Sequence, residues 1–157
     1  MNCVIGVGSN LGDRLAALRS AVARIAELGR IGGRSRVYET DPVGPPQPRY
    51  LNAAVALETQ LSPQDLMRAL LDIEQSMGRV RTEKNGPRTI DLDVLWIEGL
   101  IVMSDLVTVP HPRLKERAFA LAPLLDVAPA ARDPGSRMAY AEIDFPHTGI
   151  SVFPAEI

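Results

Sequence analysis

Apolar and polar positions alternate through YLNAAVALET, Tyr50 to Thr59. Strand side chains point to opposite faces in turn, so Leu51, Ala53, Val55 and Leu57 share one face, with Tyr50, Asn52 and Glu58 on the other. CVIGVGSN, Cys3 to Asn10, predicts a first strand running into a turn, with its glycines as turn residues. From Asp13 the period changes: Leu15, Leu18, Val22, Ile25 and Leu28 follow helical spacing, and Gly29 is placed to cap the helix C-terminus. A second strand is expected over Gly33 to Thr40. DPVGPPQP, Asp41 to Pro48, has four prolines in eight residues and predicts a stiff, extended loop. Ser62, Pro63 and Asp65 form a helix start, Leu66, Met67, Leu70, Ile73 and Met77 its buried face, and Gly78 its end.

RVRTEKNGPR, Arg79 to Arg88, has no apolar period and predicts a basic loop. Ile90 to Ile97 then predicts a strand with Ile90, Leu92, Val94 and Trp96 toward the core and Asp91 and Asp93 on the opposite face. A hairpin through Glu98 and Gly99 into LIVMSDLVTV follows, then a short helix over Arg113 to Phe119. Beyond about Ala128 the pattern is too weak to predict elements. The order β-α-β, β-α-β predicts an α+β sandwich of ferredoxin-like βαββαβ type, an antiparallel sheet with helices on one face and extra C-terminal elements. The 157 residues suit a single domain, with the tail after about residue 126 the least defined part.

A net charge of −2 argues against general affinity for nucleic acid or anionic membranes. No apolar run reaches the length of a membrane span, and the N-terminus has no signal-peptide pattern. Cys3 is the only cysteine and His111 and His147 the only histidines, which excludes an internal disulfide and leaves little for a zinc site. The cytoplasm is the expected compartment.

Asp91 and Asp93 are two positions apart on one strand, so their Cα atoms lie about 7 Å from each other. At an effective dielectric of 20 two such charges repel by roughly 2 kcal/mol. A divalent cation turns that repulsion into attraction, and carboxylate oxygens suit Mg²⁺; ordinary solvated surface aspartates are the alternative. The loop before them carries Arg79, Arg81, Lys84 and Arg88 against the single acid Glu83. Guanidinium forks match phosphate oxygens, and Mg²⁺ is usually held by one or two carboxylates plus substrate phosphates. A Walker A loop is absent and GVGSNLG misses the dinucleotide spacing, so side chains and metal must bind any phosphate. Tyr50 can stack a flat heterocycle, Asn52 can pair with its edge, and backbone groups of Val43 and Gly44 can complete the edge contacts.

GSNLGD (Gly8 to Asp13), YETDPVG (Tyr38 to Gly44), YLNAAVALET, GRVR (Gly78 to Arg81), GPRTIDLD (Gly86 to Asp93) and VPH (Val109 to His111) together resemble the 6-hydroxymethyl-7,8-dihydropterin pyrophosphokinases of folate biosynthesis. The resemblance spans roughly residues 3 to 125. It implies transfer of pyrophosphate from ATP to the pterin hydroxymethyl group, with release of AMP. By motif it implies two Mg²⁺ ions held by Asp91 and Asp93, with Arg79 and Arg88 stabilising the moving group. Glu74, Arg81, Thr108, His111 and Arg117 would belong to the ATP site. Thr40, Val43, Gly44 and Asn52 would read the pterin edge, with Tyr50 and Phe119 on its ring faces. The loops Asp41–Pro48 and Gly78–Arg88 would close over the substrates, and a monomer is expected. The chain departs from the family at Asn85, where Trp is frequent, and at Pro112 and Leu71. The rival reading is a ferredoxin-like module binding RNA or a small ligand without catalysis. An RNA-reading sheet wants exposed aromatics, and only 4% of this chain is aromatic. A metal-dependent nuclease would want more carboxylates and a basic groove.

Overall fold

The sheet is built outward from β1 (Asn2–Ser9), which pairs antiparallel with β4 (Tyr50–Glu58) on one side and β5 (Asp91–Ile97) on the other. The computed structural model describes residues 1–78 and 89–157; the expected basic loop, with Arg79, Arg81 and Arg88, lies outside the described residues. Beyond β4 come β2 (Arg30–Arg34) and β3 (Val37–Thr40), which pair with its two halves, and β8 (Ile150–Phe153), which pairs with β3. All these pairings are antiparallel.

The expected single strand over Gly33 to Thr40 is therefore two strands, β2 and β3. From Arg34 to Tyr38 the chain advances four residues while its partner advances three, from Val55 to Asn52. Ser35 resolves the mismatch: its amide donates to Ala54 O (2.9 Å), and its Oγ accepts from Ala54 N (2.8 Å). A hydroxyl thus replaces a ladder carbonyl at the bulge, and both buried groups stay satisfied.

One sheet face is covered by α1 (Arg14–Ile25) and α2 (Pro63–Ser76), packed on Ile5, Val7, Leu51, Val55 and Leu92. Burying a Leu or Ile of this kind contributes roughly 1.5–3 kcal/mol, so this layer is the main source of stability. Asp13 caps α1 by accepting from Ala16 N (3.0 Å), and Ser62 caps α2 by accepting from Asp65 N (3.1 Å). Gly78 ends α2 with φ +81°, as the spacing predicts. Gly29 is not a left-handed cap: its φ is 166°, and it is glycine because a Cβ would overlap the Glu58 carbonyl oxygen.

The expectation of helices on one face needs correcting. A third helix, α3 (Ala118–Val127), covers part of the second face, over Val4, Ala54, Leu95 and Trp96. The short helix expected over Arg113 to Phe119 is only a 3₁₀ turn, Leu114–Glu116; the longer helix begins where that prediction ended. Trp96 also lies opposite to its predicted face. Val4 pairs Trp96 but Ile5 pairs Val94, so Leu95 is an extra residue, and both Leu95 and Trp96 turn toward α3. There Trp96 Nε1 donates to Arg132 O (2.8 Å). The turn at Glu98 and Gly99 forms, yet LIVMSDLVTV does not pair back on β5. It makes a separate ribbon of β6 (Val102–Met103) and β7 (Thr108–Val109). None of the described helices is long and apolar enough to cross a membrane.

Candidate functional site

Helix α3 leaves one end of the second sheet face uncovered, and the polar strand positions converge there. Gly6 and Gly8 of β1 lie opposite Asp93 and Asp91 of β5, while Gly8 also lies opposite Asn52 of β4. The predicted alternation holds: Asp91 and Asp93 face the open side, and Ile90, Leu92 and Val94 the covered one. The glycines are mid-strand residues rather than the turn residues expected. They form a floor without side chains between the amide and the carboxylates. A Cβ on Gly8 would come 2.5 Å from Asn52 Oδ1, and one on Gly6 would come 3.1 Å from the Leu95 side chain. The sequence signal, G-V-G at alternate positions of an apolar strand, was available.

Asn52 is fixed from its other end, donating through Nδ2 to the buried Thr40 Oγ1 at 2.7 Å. Thr40, Val43, Tyr50, Asn52, Asp91 and Phe119 line one narrow slot, joined by Asp41 and Arg117. The Arg117 guanidinium lies 5.3 Å from the centre of the Phe119 ring. Asp91 belongs to this slot, and Asp93 lines the adjoining hollow with Gly6, Gly8, Asn52 and Asp91.

His111 follows a cis Val109–Pro110 peptide; its N–H donates to Leu95 O (2.9 Å), and its Nδ1 accepts from Arg113 N (3.2 Å). Burial lowers its pKa, as do the Arg117 and Arg113 charges, against an opposing pull from Asp91. These effects favour the neutral imidazole, and a neutral ring that accepts at Nδ1 carries its proton on Nε2.

Of the described residues of the implied ATP set only Arg117 lines the slot; His111, Glu74 and Thr108 do not. Glu74 is buried at the end of α2, and its Oε2 accepts from Leu92 N (3.4 Å) on the outer edge of β5. Thr108 is exposed on β7, its hydroxyl 3.5 Å from Ser104 O. Gly44 lies in the proline loop with φ +105°. Asn10 was missed as a positioning residue: buried at the β1–α1 turn, its Nδ2 donates to Gln47 Oε1 and Pro48 O, both at 2.9 Å.

A wider hollow of about 670 Å³ lies at the other end of α3, against Trp96 and the segment Ala128–Arg137. Charged residues line it too: Arg30 and Glu58 pair at 2.8 Å, Asp133 pairs with Lys115 at 3.0 Å, and Arg132 Nη1 donates to Arg137 O at 2.9 Å. The narrow slot differs in joining an amide, two aromatic rings and a carboxylate.

An α+β sandwich with an aromatic-walled slot opening onto paired carboxylates defines a small-molecule enzyme of the group-transfer class. The family model for 7,8-dihydro-6-hydroxymethylpterin-pyrophosphokinase matches residues 4–129, and the chain belongs to that family. A 2-amino-4-hydroxy-6-hydroxymethyldihydropteridine pyrophosphokinase of Synechocystis is 42% identical over 135 residues, covering 85% of this chain and 69% of the relative. The protein of the same name from Methylorubrum extorquens is 45% identical over 128 residues, covering 80% and 81%. Among solved structures, Plasmodium falciparum HPPK-DHPS with pteroate superposes with a TM-score of 0.71 at 14% identity. It covers 89% of this chain but 41% of that longer one, and at such identity the likeness shows the shared fold.

Proposed function

We propose that this protein transfers the β,γ-pyrophosphoryl group of ATP to the hydroxymethyl oxygen of 6-hydroxymethyl-7,8-dihydropterin, releasing AMP. The observation that carries this reading is the meeting of Asn52, the Tyr50–Phe119 slot and the Asp91/Asp93 pair across the Gly6/Gly8 floor. The bond formed joins the pterin hydroxymethyl oxygen to the β-phosphorus; the bond broken joins that phosphorus to the oxygen leaving with AMP. The hydroxyl proton leaves to solvent, since none of the described residues stands out as a strong base.

Asp91 and Asp93 fit magnesium: they offer hard oxygen donors on one strand face. Among the described residues no group of three or more His, Cys, Asp or Glu makes a dedicated metal cage. Two carboxylates without a cage suit an ion shared with substrate phosphates, and we assign two such ions to the pair with ATP. When bound, magnesium supplies neutralisation of phosphate charge.

The protein's own work is positioning. Thr40 holds the Asn52 amide in the plane where a pterin edge would lie, and the backbone of Val43 and Gly44 is assigned to the same edge. Tyr50 and Phe119 fix the ring and exclude water from its faces. Arg117, withdrawn over Phe119, is assigned to the nucleotide side with neutral His111, and Glu74 and Thr108 to its periphery. Arg79, Arg81 and Arg88, outside the described residues, are assigned to the phosphates by motif alone. We read the protein as a cytoplasmic monomer.

A coupled assay for AMP, with ATP, Mg²⁺ and the hydroxymethyl-dihydropterin, tests the reading. AMP release that requires the pterin is expected. Folded protein that releases no AMP, or releases it equally without pterin, overturns it.

A further inference from the structure

We infer that the C-terminal strand β8 is a positioning element for the pterin side of the slot, acting through a clamp of Gly149 on Asp41. This inference rests on the pterin assignment above. Strand β8 lies wholly beyond residues 4–129, the span matched by the family model.

Thr40, whose hydroxyl anchors Asn52, is the last residue of β3 and is held from both sides, opposite Tyr50 of β4 and Ile150 of β8. The next residue, Asp41, donates its N–H to Gly149 O at 2.9 Å. Its carboxylate lies against the Gly149 backbone so closely that a Cβ there would overlap Oδ2 and sit 3.0 Å from Cγ. Gly149 also has φ +77°, a region that L side chains rarely adopt, so the backbone conformation requires glycine and the Asp41 contact favours it.

The other side of Asp41 is held as well. Arg49 Nε donates to Asp41 Oδ1 (3.1 Å), and Arg49 shares the Glu39 carboxylate with Arg14 (3.1 and 2.7 Å). Arg14 lies 5.9 Å from the centre of the Phe153 ring of β8, closing a ring of contacts through α1, β3, β4 and β8. Asp41 itself lines the slot and starts the loop that carries Val43 and Gly44. The far end of that loop is stapled by Asn10 to Gln47 and Pro48. The loop therefore has two fixed ends, and the first is set by the tail.

The test is steady-state kinetics on Gly149→Ala, Asp41→Ala and the double variant, with each substrate varied at saturation of the other. Gly149→Ala should raise the pterin KM by about tenfold, with kcat and the ATP KM held within about twofold. Because the introduced methyl meets the Asp41 carboxylate, the double variant should fall short of the product of the two effects, while the backbone strain at position 149 persists in it. Val152→Thr, an exposed position on the same strand, should match the parent. Direct binding of the pterin, followed by its fluorescence, gives the same comparison without turnover. If Gly149→Ala does not fold, Asp41→Ala must still raise the pterin KM selectively, or the inference fails. An unchanged pterin KM, equal losses in kcat and both KM values, or full additivity in the double variant would overturn it. A parent that neither turns over nor binds pterin sinks the functional reading instead; an active parent with an unshifted Gly149→Ala sinks only the clamp.

Discussion

Replacing Gly8 by alanine isolates the role of the glycine floor. Gly8 lies in register between Asn52 and Asp91, and its backbone is not in the left-handed region, so alanine is conformationally acceptable. The added Cβ would stand 2.5 Å from Asn52 Oδ1, and ordinary contact begins near 3.4 Å, so the amide must retreat by about 0.9 Å. The amide is a short side chain whose other end is 2.7 Å from Thr40 Oγ1, and a retreat of that size stretches or breaks this bond. Binding a pterin on this edge requires the amide back in its parental place, at a cost of up to the worth of the bond, about 1–3 kcal/mol, and each 1.4 kcal/mol is tenfold in affinity. The pterin KM should therefore rise by roughly fivefold to a hundredfold, with the ATP KM little changed. Stability should fall by about 0–2.6 kcal/mol, because Gly→Ala in permitted backbone contributes about 0.4–1 kcal/mol through the unfolded state and only partly offsets the lost bond. The assay is AMP release at varied pterin, with thermal unfolding measured alongside. A Gly8→Ala enzyme with parental pterin KM would refute the floor and the placing of Asn52 on the pterin edge.

Three further outcomes are expected. Asp91→Ala and Asp93→Ala should each lower turnover by on the order of a hundredfold or more, and EDTA should stop the parent enzyme until Mg²⁺ is restored; AMP release reads both. Phe119→Ala should raise the pterin KM by a factor equivalent to about 0.5–1.5 kcal/mol of lost ring contact, which a titration of pterin fluorescence detects. Asp126 should shape the acid limb of stability. Burial alone raises its pKa, but the Arg36 guanidinium and the Tyr38 hydroxyl (2.9 Å) hydrogen-bond to it and hold it below the ordinary value of 3.8. A depressed carboxylate pKa contributes stability above the unfolded value, and that contribution is lost as pH falls through the folded one. Urea unfolding of Asp126→Asn should therefore show a smaller loss than the parent below about pH 4, and an equal slope in both would refute the contribution.

Legibility in the chain followed the range of the interaction concerned. The alternation of Tyr50 to Glu58, the cap at Ser62 and the facing of Asp91 and Asp93 are local matters, and all were readable. The break at Ser35 and the reversal of Trp96 were not, since each arises from one extra residue against a partner strand that a single segment does not disclose. Strand β8 escaped for a related reason: on an edge, with Ser151 and Val152 exposed, it has no buried face to impose a period. Asn10 and Gly149 act on loops far along the chain and carry no local mark of it. The cleft itself, however, has a signature that spans strands. Gly6 and Gly8, Asn52, and Asp91 and Asp93 occupy corresponding alternate positions on three adjacent strands, while the intervening positions Val7, Leu51, Ala53 and Leu92 are apolar and buried. A sheet face meant for a helix would be apolar at both sets, as it is farther along at Val4, Ala54 and Leu95. Small and polar residues replacing apolar ones at one end of one face, on three neighbouring strands at once, therefore locate a site before any motif does. The aspartates attract attention as charges, but it is the glycines beside them that leave room for a substrate.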